Sequence, residues 1–165
     1  MNFNQCTHRC NLMIYLYKLF YFRKIFIFFN YKNSMIKEIS VSSSKKQEII
    51  DISKEISKIV AESSVKNGLC VVYVRIHSSN TINENYDKDV KRDIIYALDK
   101  IVPNSGYEHS EGNSDGHVKS SLIGASETII IEDGNLKLGQ WQGIVFCEFD
   151  GPRSRKVIVK IIEAR

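Results

Sequence analysis

Three of the chain's four histidines, His77, His109 and His117, lie among carboxylates and amides in two stretches, IHSSNTINEN (76–85) and YEHSEGNSDGHVK (107–119). Neutral imidazole is a borderline ligand that suits zinc and similar divalent metals. His109 and His117 in one loop, with His77 from a strand end, could form a three-histidine site that keeps a position open for water or substrate, as catalytic zinc sites do. Glu84, Glu111 or Glu148 would then serve as a base or as the group that orients a ligand. From the spacing alone, surface or hydrogen-bonding histidines are the simpler reading. A third polar cluster is Glu148 with the turn Asp150-Gly151-Pro152-Arg153. A carboxylate that alternates with Ile144 and Phe146 along a strand must be held by a cation or lie at the sheet's end. Arg153 and Arg155 are the candidate partners, and a structural ion pair across a hairpin is at least as good an account of Glu148 as a catalytic role. The fourth cluster, GQWQG (139–143), offers Trp141 as a core or interface anchor between glycines that let another chain or a ligand approach.

These residues need elements to hold them. IKEISV (36–41) alternates as a strand. Ser44-Lys45-Lys46-Gln47 reads as a capping box ahead of a helix whose stripe is Ile49, Ile52, Ile56, Ile59 and Val60 and whose stop is Asn67-Gly68. LCVVYVRIH (69–77) is a buried strand with Tyr73, Arg75 and His77 on one face and Val72, Val74 and Ile76 on the other. TINEN (81–85) reads as a helix entry or a polar-ligand pocket. A second helix buries Val90, Ile94, Leu98 and Ile101 and closes at Pro103. Residues 103–116 lack apolar periodicity and read as a long functional or mobile loop, and 118–126 as a short helix or turn. The last third is β: 127–133 and NLKLG joined at Asp133-Gly134, then 143–150 and 155–162 joined across the Asp150–Arg153 turn. The pattern is one α+β domain with two main helices.

Composition divides the chain near residue 35. Of 23 basic and 19 acidic residues, five basic and no acidic ones lie in 1–34, which leaves 18 against 19 in the body. The body is near neutral, which argues against nucleic acid as a partner. Residues 1–34 hold ten of the seventeen aromatics and none of the nine glycines. Their apolar run is broken by Lys18, Arg23 and Lys24, too short for an integral membrane span and wrongly ordered for a secretory signal. They read as an upstream extension, disordered or started at a codon called too early, ahead of a domain over 35–163. Cys6 and Cys10 flank His8 as a weak zinc signal, Cys70 and Cys147 read as small buried hydrophobes, and the absence of a disulfide framework points to a reducing, cytoplasmic compartment.

IKEISVSSSKKQEIIDISKEI (36–56), TINENYDKDV (81–90), HSEGNSDGHVKSSLIGAS (109–126) and GNLKLGQWQGIVFCEFDGPR (134–153), in this order, resemble the YjbQ family, an uncharacterised protein family also labelled secondary thiamine-phosphate synthase. The resemblance covers about residues 35–162. It implies a compact α+β fold with β-sandwich-like sheets, a homotrimer with polar pockets near subunit boundaries, and a weak transferase activity joining hydroxymethylpyrimidine diphosphate to thiazole phosphate. By matching motif positions it implies Glu84, Asp115 and Glu148 as catalytic groups, and Asn83, Lys119 and Arg153 as contacts to a phosphorylated small molecule. His109 and His117 match histidine positions of the family, and the expected cofactor is a divalent metal, either zinc on His77, His109 and His117 or Mg²⁺ on Glu84 or Asp115. The chain departs from the family pattern at VRIHSSN (74–80), where a proline is missing, His77 comes one place late and the following segment is two residues shorter. A one-residue shift turns a strand side chain to the other face.

Overall fold

The computed structural model describes residues 34–75 and 87–164, together with the backbone of 78–83. Within them lie eight strands and three helices: β1 (Ser34–Ser42), β2 (Glu48–Asp51), α1 (Ser53–Ser63), β3 (Gly68–Val74), β4 (Ser78–Asn83), α2 (Lys88–Ile101), α3 (Ser114–Ile123), β5 (Ser126–Glu132), β6 (Asn135–Leu136), β7 (Gly143–Glu148) and β8 (Ser154–Glu163). The class is the expected α+β. A five-stranded antiparallel sheet runs β1-β8-β3-β5-β6, and a three-stranded one runs β2-β7-β4.

Period-two alternation builds the sandwich. Val72 and Val74 of β3, Ile129 of β5 and Val157, Val159 and Ile161 of β8 point inward. They meet Ile144 and Phe146 of β7, with Ile56 and Val60 of α1 closing the same core. The other face of β7 carries Val145 and Cys147, which with Ile49 and Phe149 pack under Ile94, Ile95 and Leu98 of α2 and Ile123 of α3. The smaller sheet is therefore covered on both sides, and every residue of β7 is buried. A fully buried aliphatic side chain contributes about 1.5–3 kcal/mol, so these two layers carry most of the stability.

Several expectations are corrected. The capping box at Ser44–Gln47 does not start a helix. The Ser44 amide and hydroxyl instead bond the Glu48 carboxylate, with the amide at 2.6 Å, and Glu48–Asp51 pairs with β7. Ile49 and Ile52 suit a helical stripe and a strand followed by a turn equally well, and the free hydrogen bonds of β7 decide for the strand. Helix α1 begins at Ser53, nine residues after the supposed cap at Ser44, where the Asp51 carboxylate accepts from the Ser53 amide at 2.9 Å. It ends at Ser64 in a left-handed conformation rather than at Asn67-Gly68. Thr81–Asn83 belongs to a strand, not a helix entry. Ile101 is 69% exposed, and Val102 takes the buried place. A third helix, α3, begins inside the expected loop, at Ser114. Segments 143–150 and 155–162 do not form a hairpin, because β7 and β8 lie in different sheets and the Asp150–Arg153 turn crosses between them. Trp141 is 63% exposed, so it is no core residue. Asp133 and Gly134, at φ 52° and 81°, do turn the β5–β6 hairpin.

Gly68 opens β3 where the backbone of β8 passes closest. A Cβ there would lie 2.1 Å from the Ile162 carbonyl oxygen. Gly68→Ala is expected to cost about 1–3 kcal/mol through forced backbone shifts, measured as a lowered urea midpoint by circular dichroism.

Candidate functional site

Three segments distant in sequence meet at one end of the smaller sheet. The loop after β1 lies on the Asp150–Arg153 turn: the Ser43 amide donates to the Arg153 carbonyl at 2.9 Å and the Gly151 amide to the Lys46 carbonyl at 3.0 Å. A Cβ on Gly151 would stand 2.3 Å from the Lys45 carbonyl oxygen, so only glycine fits. The first turn of α3 rests against the same crossing. A Cβ on Gly116 would lie 3.1 Å from the Phe149 carbonyl oxygen and 3.6 Å from Asp150 Cβ. Two of the predicted motifs, HSEGNSDGHVK and EFDGPR, are thus brought together. Ser78, the first described residue of β4, pairs with Glu148 at this end, and Asn83 pairs with Gly143 at the other. His77 and Glu84 lie outside the described residues, as do Cys6 and Cys10.

Glu148 is fully buried and points between the sheets. Arg155, on the inner face of β8, grips it with two bonds, Nε to Oε2 at 2.8 Å and Nη2 to Oε1 at 3.0 Å. The amides of Phe149 and Asp150 donate to Oε1 at 3.1 and 2.9 Å. The carboxylate is held by four donors, and the ion pair joins two sheets rather than two strands of a hairpin. Arg153 takes a different partner: its Nε donates to the Asp150 carbonyl at 2.8 Å and its Nη2 to the Asp150 carboxylate at 3.1 Å. Its side chain remains about half exposed.

Lys119 is the largest fully buried side chain. Its ammonium donates to Asp99 at 2.6 Å, Gln47 at 3.2 Å and Asp115 at 3.3 Å. Asp115, 1% exposed, also pairs with Lys46 at 3.2 Å. Two ammoniums and two carboxylates cancel, as burial demands. Burial pushes the Asp99 carboxyl up, but the bonds from Lys119 and Gln47 outweigh it and hold the group below its ordinary value. The Ser44 amide does the same for Glu48 against a weaker burial effect. Lys46, Gln47 and Asp99 escape the motif reading. The first two sit in the supposed cap, and nothing in the spacing of Asp99 along α2 signals a partner twenty residues on.

His109 and His117 face each other edge to face with ring centroids 5.4 Å apart, and His109 Nε2 lies 3.6 Å from Glu111. Among the described residues no three His, Cys, Asp or Glu side chains group as a metal requires. The histidine pair with Glu111 is therefore a partial donor set, and Asp115 is already engaged by two lysines. The buried Asn113 Oδ1 and Ser114 Oγ, at the start of α3, have no hydrogen-bond partner among the described residues. Cys70 and Cys147 are buried as expected, and burial raises both thiols to about 12, which makes them unreactive.

The network sets a pH dependence. Asp99 and Glu48 titrate lower in the folded chain than unfolded, so their stabilisation is complete above their ordinary values near pH 4 and is lost as pH falls through the lowered ones. Lys119→Met leaves Asp115 short of a buried partner. It is expected to cost about 3–5 kcal/mol at pH 7 and to flatten the fall in stability below pH 4, both read from urea unfolding at a series of pH values.

Comparison with known proteins agrees with this architecture. Residues 37–164 match the family described as UPF0047 protein YjbQ-like. The UPF0047 protein MJ1081 of Methanocaldococcus jannaschii is 50% identical over 130 residues, 78% of this chain and 94% of the relative. The UPF0047 protein YugU of Bacillus subtilis is 41% identical over 131 residues, 78% of this chain and 99% of the relative. A crystal structure of an uncharacterised YjbQ/UPF0047 protein from Clostridium acetobutylicum superposes with a TM-score of 0.74 at 54% identity, covering 76% of this chain and 99% of that one. A protein of unknown function from Sulfolobus solfataricus gives 0.77 at 27% identity, over 79% and 98%. With the motifs, the two-sheet fold and these relatives in agreement, the chain belongs to the YjbQ/UPF0047 family.

Proposed function

We propose that the chain binds a small phosphorylated metabolite where the first turn of α3 meets the Asp150–Arg153 turn, and that thiamine-phosphate formation is a weak activity of that pocket. One observation carries the reading: a helix start where the buried Ser114 hydroxyl has no hydrogen-bond partner among the described residues adjoins the turn that bears the half-exposed Arg153. A helix N-terminus offers amide donors and a positive dipole end to a phosphate, and a guanidinium matches phosphate geometry in two bonds. In the reaction, the thiazole nitrogen attacks the methylene carbon of hydroxymethylpyrimidine diphosphate, and the carbon–oxygen bond breaks with its electron pair leaving on pyrophosphate. The protein's task is to neutralise that leaving group. Arg153 suits it. Asp115, Glu148 and Lys119 are spent in internal pairs and act as positioning residues. Asn83 and Glu84 enter by resemblance alone, and a divalent metal would add charge neutralisation. The family label also implies that copies of the chain associate as a homotrimer.

The test incubates the full chain with both phosphorylated substrates and follows thiamine phosphate by chromatography and stability by thermal shift. Thiazole phosphate at one hundred times its Kd should stabilise by about 2.7 kcal/mol, with a loss of at least tenfold in affinity for Arg153→Ala. Stabilisation without product leaves a non-catalytic binder. Neither effect sinks the reading.

A second reading, a histidine-centred metal-dependent hydrolase, is favoured by the contact between His109 and His117. It predicts near-stoichiometric zinc or another transition metal in the purified full chain, lost in His109→Ala and His117→Ala by elemental mass spectrometry. A metal-free wild type overturns it.

A further inference from the structure

Lys46 joins the two segments that build the candidate phosphate site. Its carbonyl accepts from the Gly151 amide at 3.0 Å, which fixes its backbone against the turn that bears Arg153. Its ammonium lies 3.3 Å from Oδ1 and 3.2 Å from Oδ2 of Asp115, in the first turn of α3. Asp115 is almost wholly enclosed, whereas the Lys46 side chain is half exposed. An ammonium carries three N–H donors, so a half-exposed one keeps donor capacity for an acceptor outside the protein. Cancelling the Asp115 charge does not by itself call for this placement. Lys119, fully buried, already lies 3.3 Å from Asp115 Oδ2. A second cation needed only for that carboxylate would be worth most in the interior, where attraction is least screened. Lys46 stands instead at the edge, over the residue that follows Ser114, whose buried hydroxyl has no hydrogen-bond partner among the described residues.

We propose that Lys46 is the second cation of this site and contacts the phosphoryl group of its ligand, an ester of phosphate or diphosphate, beside Arg153. The inference rests on the reading that the start of α3 and the Asp150–Arg153 turn bind a phosphorylated molecule, and it adds the residue that reaches both. Arg153 offers one positive charge and is itself paired with Asp150. A phosphate ester carries about 1.5 to 2 negative charges near pH 7, so one guanidinium leaves it under-neutralised. Lys46 brings the missing charge from a backbone already fixed to the turn. On binding, its ammonium is shared between Asp115 and the phosphate, while Lys119 keeps the Asp115 carboxylate partnered.

The experiment titrates inorganic phosphate, pyrophosphate and thiazole phosphate into the full chain by isothermal calorimetry, for wild type, Lys46→Met, Lys45→Met and Asp115→Asn. Lys46→Met is expected to weaken the probe that wild type binds best by at least about tenfold, the loss of one charge-assisted hydrogen bond. Lys45→Met makes the same change of charge one residue away and is expected to weaken it less than about threefold, because a distant exposed charge is screened. Asp115→Asn frees the Lys46 ammonium and removes a negative charge, so it is expected to bind at least as tightly as wild type. If Lys46→Met does not fold, Lys46→Gln, which keeps a donor for Asp115, replaces it under the same criterion. The tighter of inorganic phosphate and pyrophosphate tells a monoester ligand from a diphosphate ester. A folded Lys46 variant that binds like wild type, or a loss as large in Lys45→Met or in Asp115→Asn, overturns the role of Lys46 and leaves the site standing. A wild type that binds none of the three probes overturns the site and the role of Lys46 with it.

Discussion

The pair between Glu148 and Arg155 is the constraint on which the rest depends. It spans the two sheets at the end of the sandwich where β7 leaves one and β8 enters the other. A carboxylate taken wholly out of water is tolerated only when good donors hold it. Two guanidinium bonds and two backbone amides supply them. Those amides belong to Phe149 and Asp150, so the carboxylate also shapes the backbone that turns toward Arg153. One side chain thereby sets the relation between the sheets and the path of the crossing turn.

The candidate site follows from that crossing. The loop after β1 and the first turn of α3 both lean on it through close backbone approaches at Gly151 and Gly116. The Lys46–Asp115–Lys119–Asp99 chain then ties the same loop to α3 and α2. Buried charges carry geometry here: they hold the start of α3, and with it His117, in one place. Toward solvent, the side chains of His109 and Arg153 are each about half exposed. A division between enclosed positioning groups and outward chemical groups is what pre-organisation requires.

Much of the frame was legible in the residues. Alternation in 36–41, 69–74 and 155–162 marked strands, the Asp133-Gly134 turn marked its hairpin, and the long motifs marked the family. The errors share a physical cause. Periodicity describes one element at a time, whereas Glu48–Asp51 became a strand because β7 had an open edge, and α3 has no apolar stripe because it buries Ser114, Asp115, Gly116 and Lys119 instead. Glu148 was legible as a carboxylate in need of a cation. That Arg155 and not Arg153 supplies it depends on β8 lying in the opposite sheet, which no local pattern encodes. Asp99 is illegible for the same reason, since its role exists only after α2 and α3 have packed.

Strand β8 sits between β1 and β3 and is the last of the described strands in the chain. The residues that pair Ser34 with Ile162 are separated by most of the domain. Until β8 leaves the ribosome, β1 has no neighbour in its sheet and β3 has only β5. A chain emerging from its N-terminus must therefore keep β1 unpaired until β8 has been made. The order of appearance delays closure of the larger sheet until β8 has been made, with the slow rates that distant pairings impose.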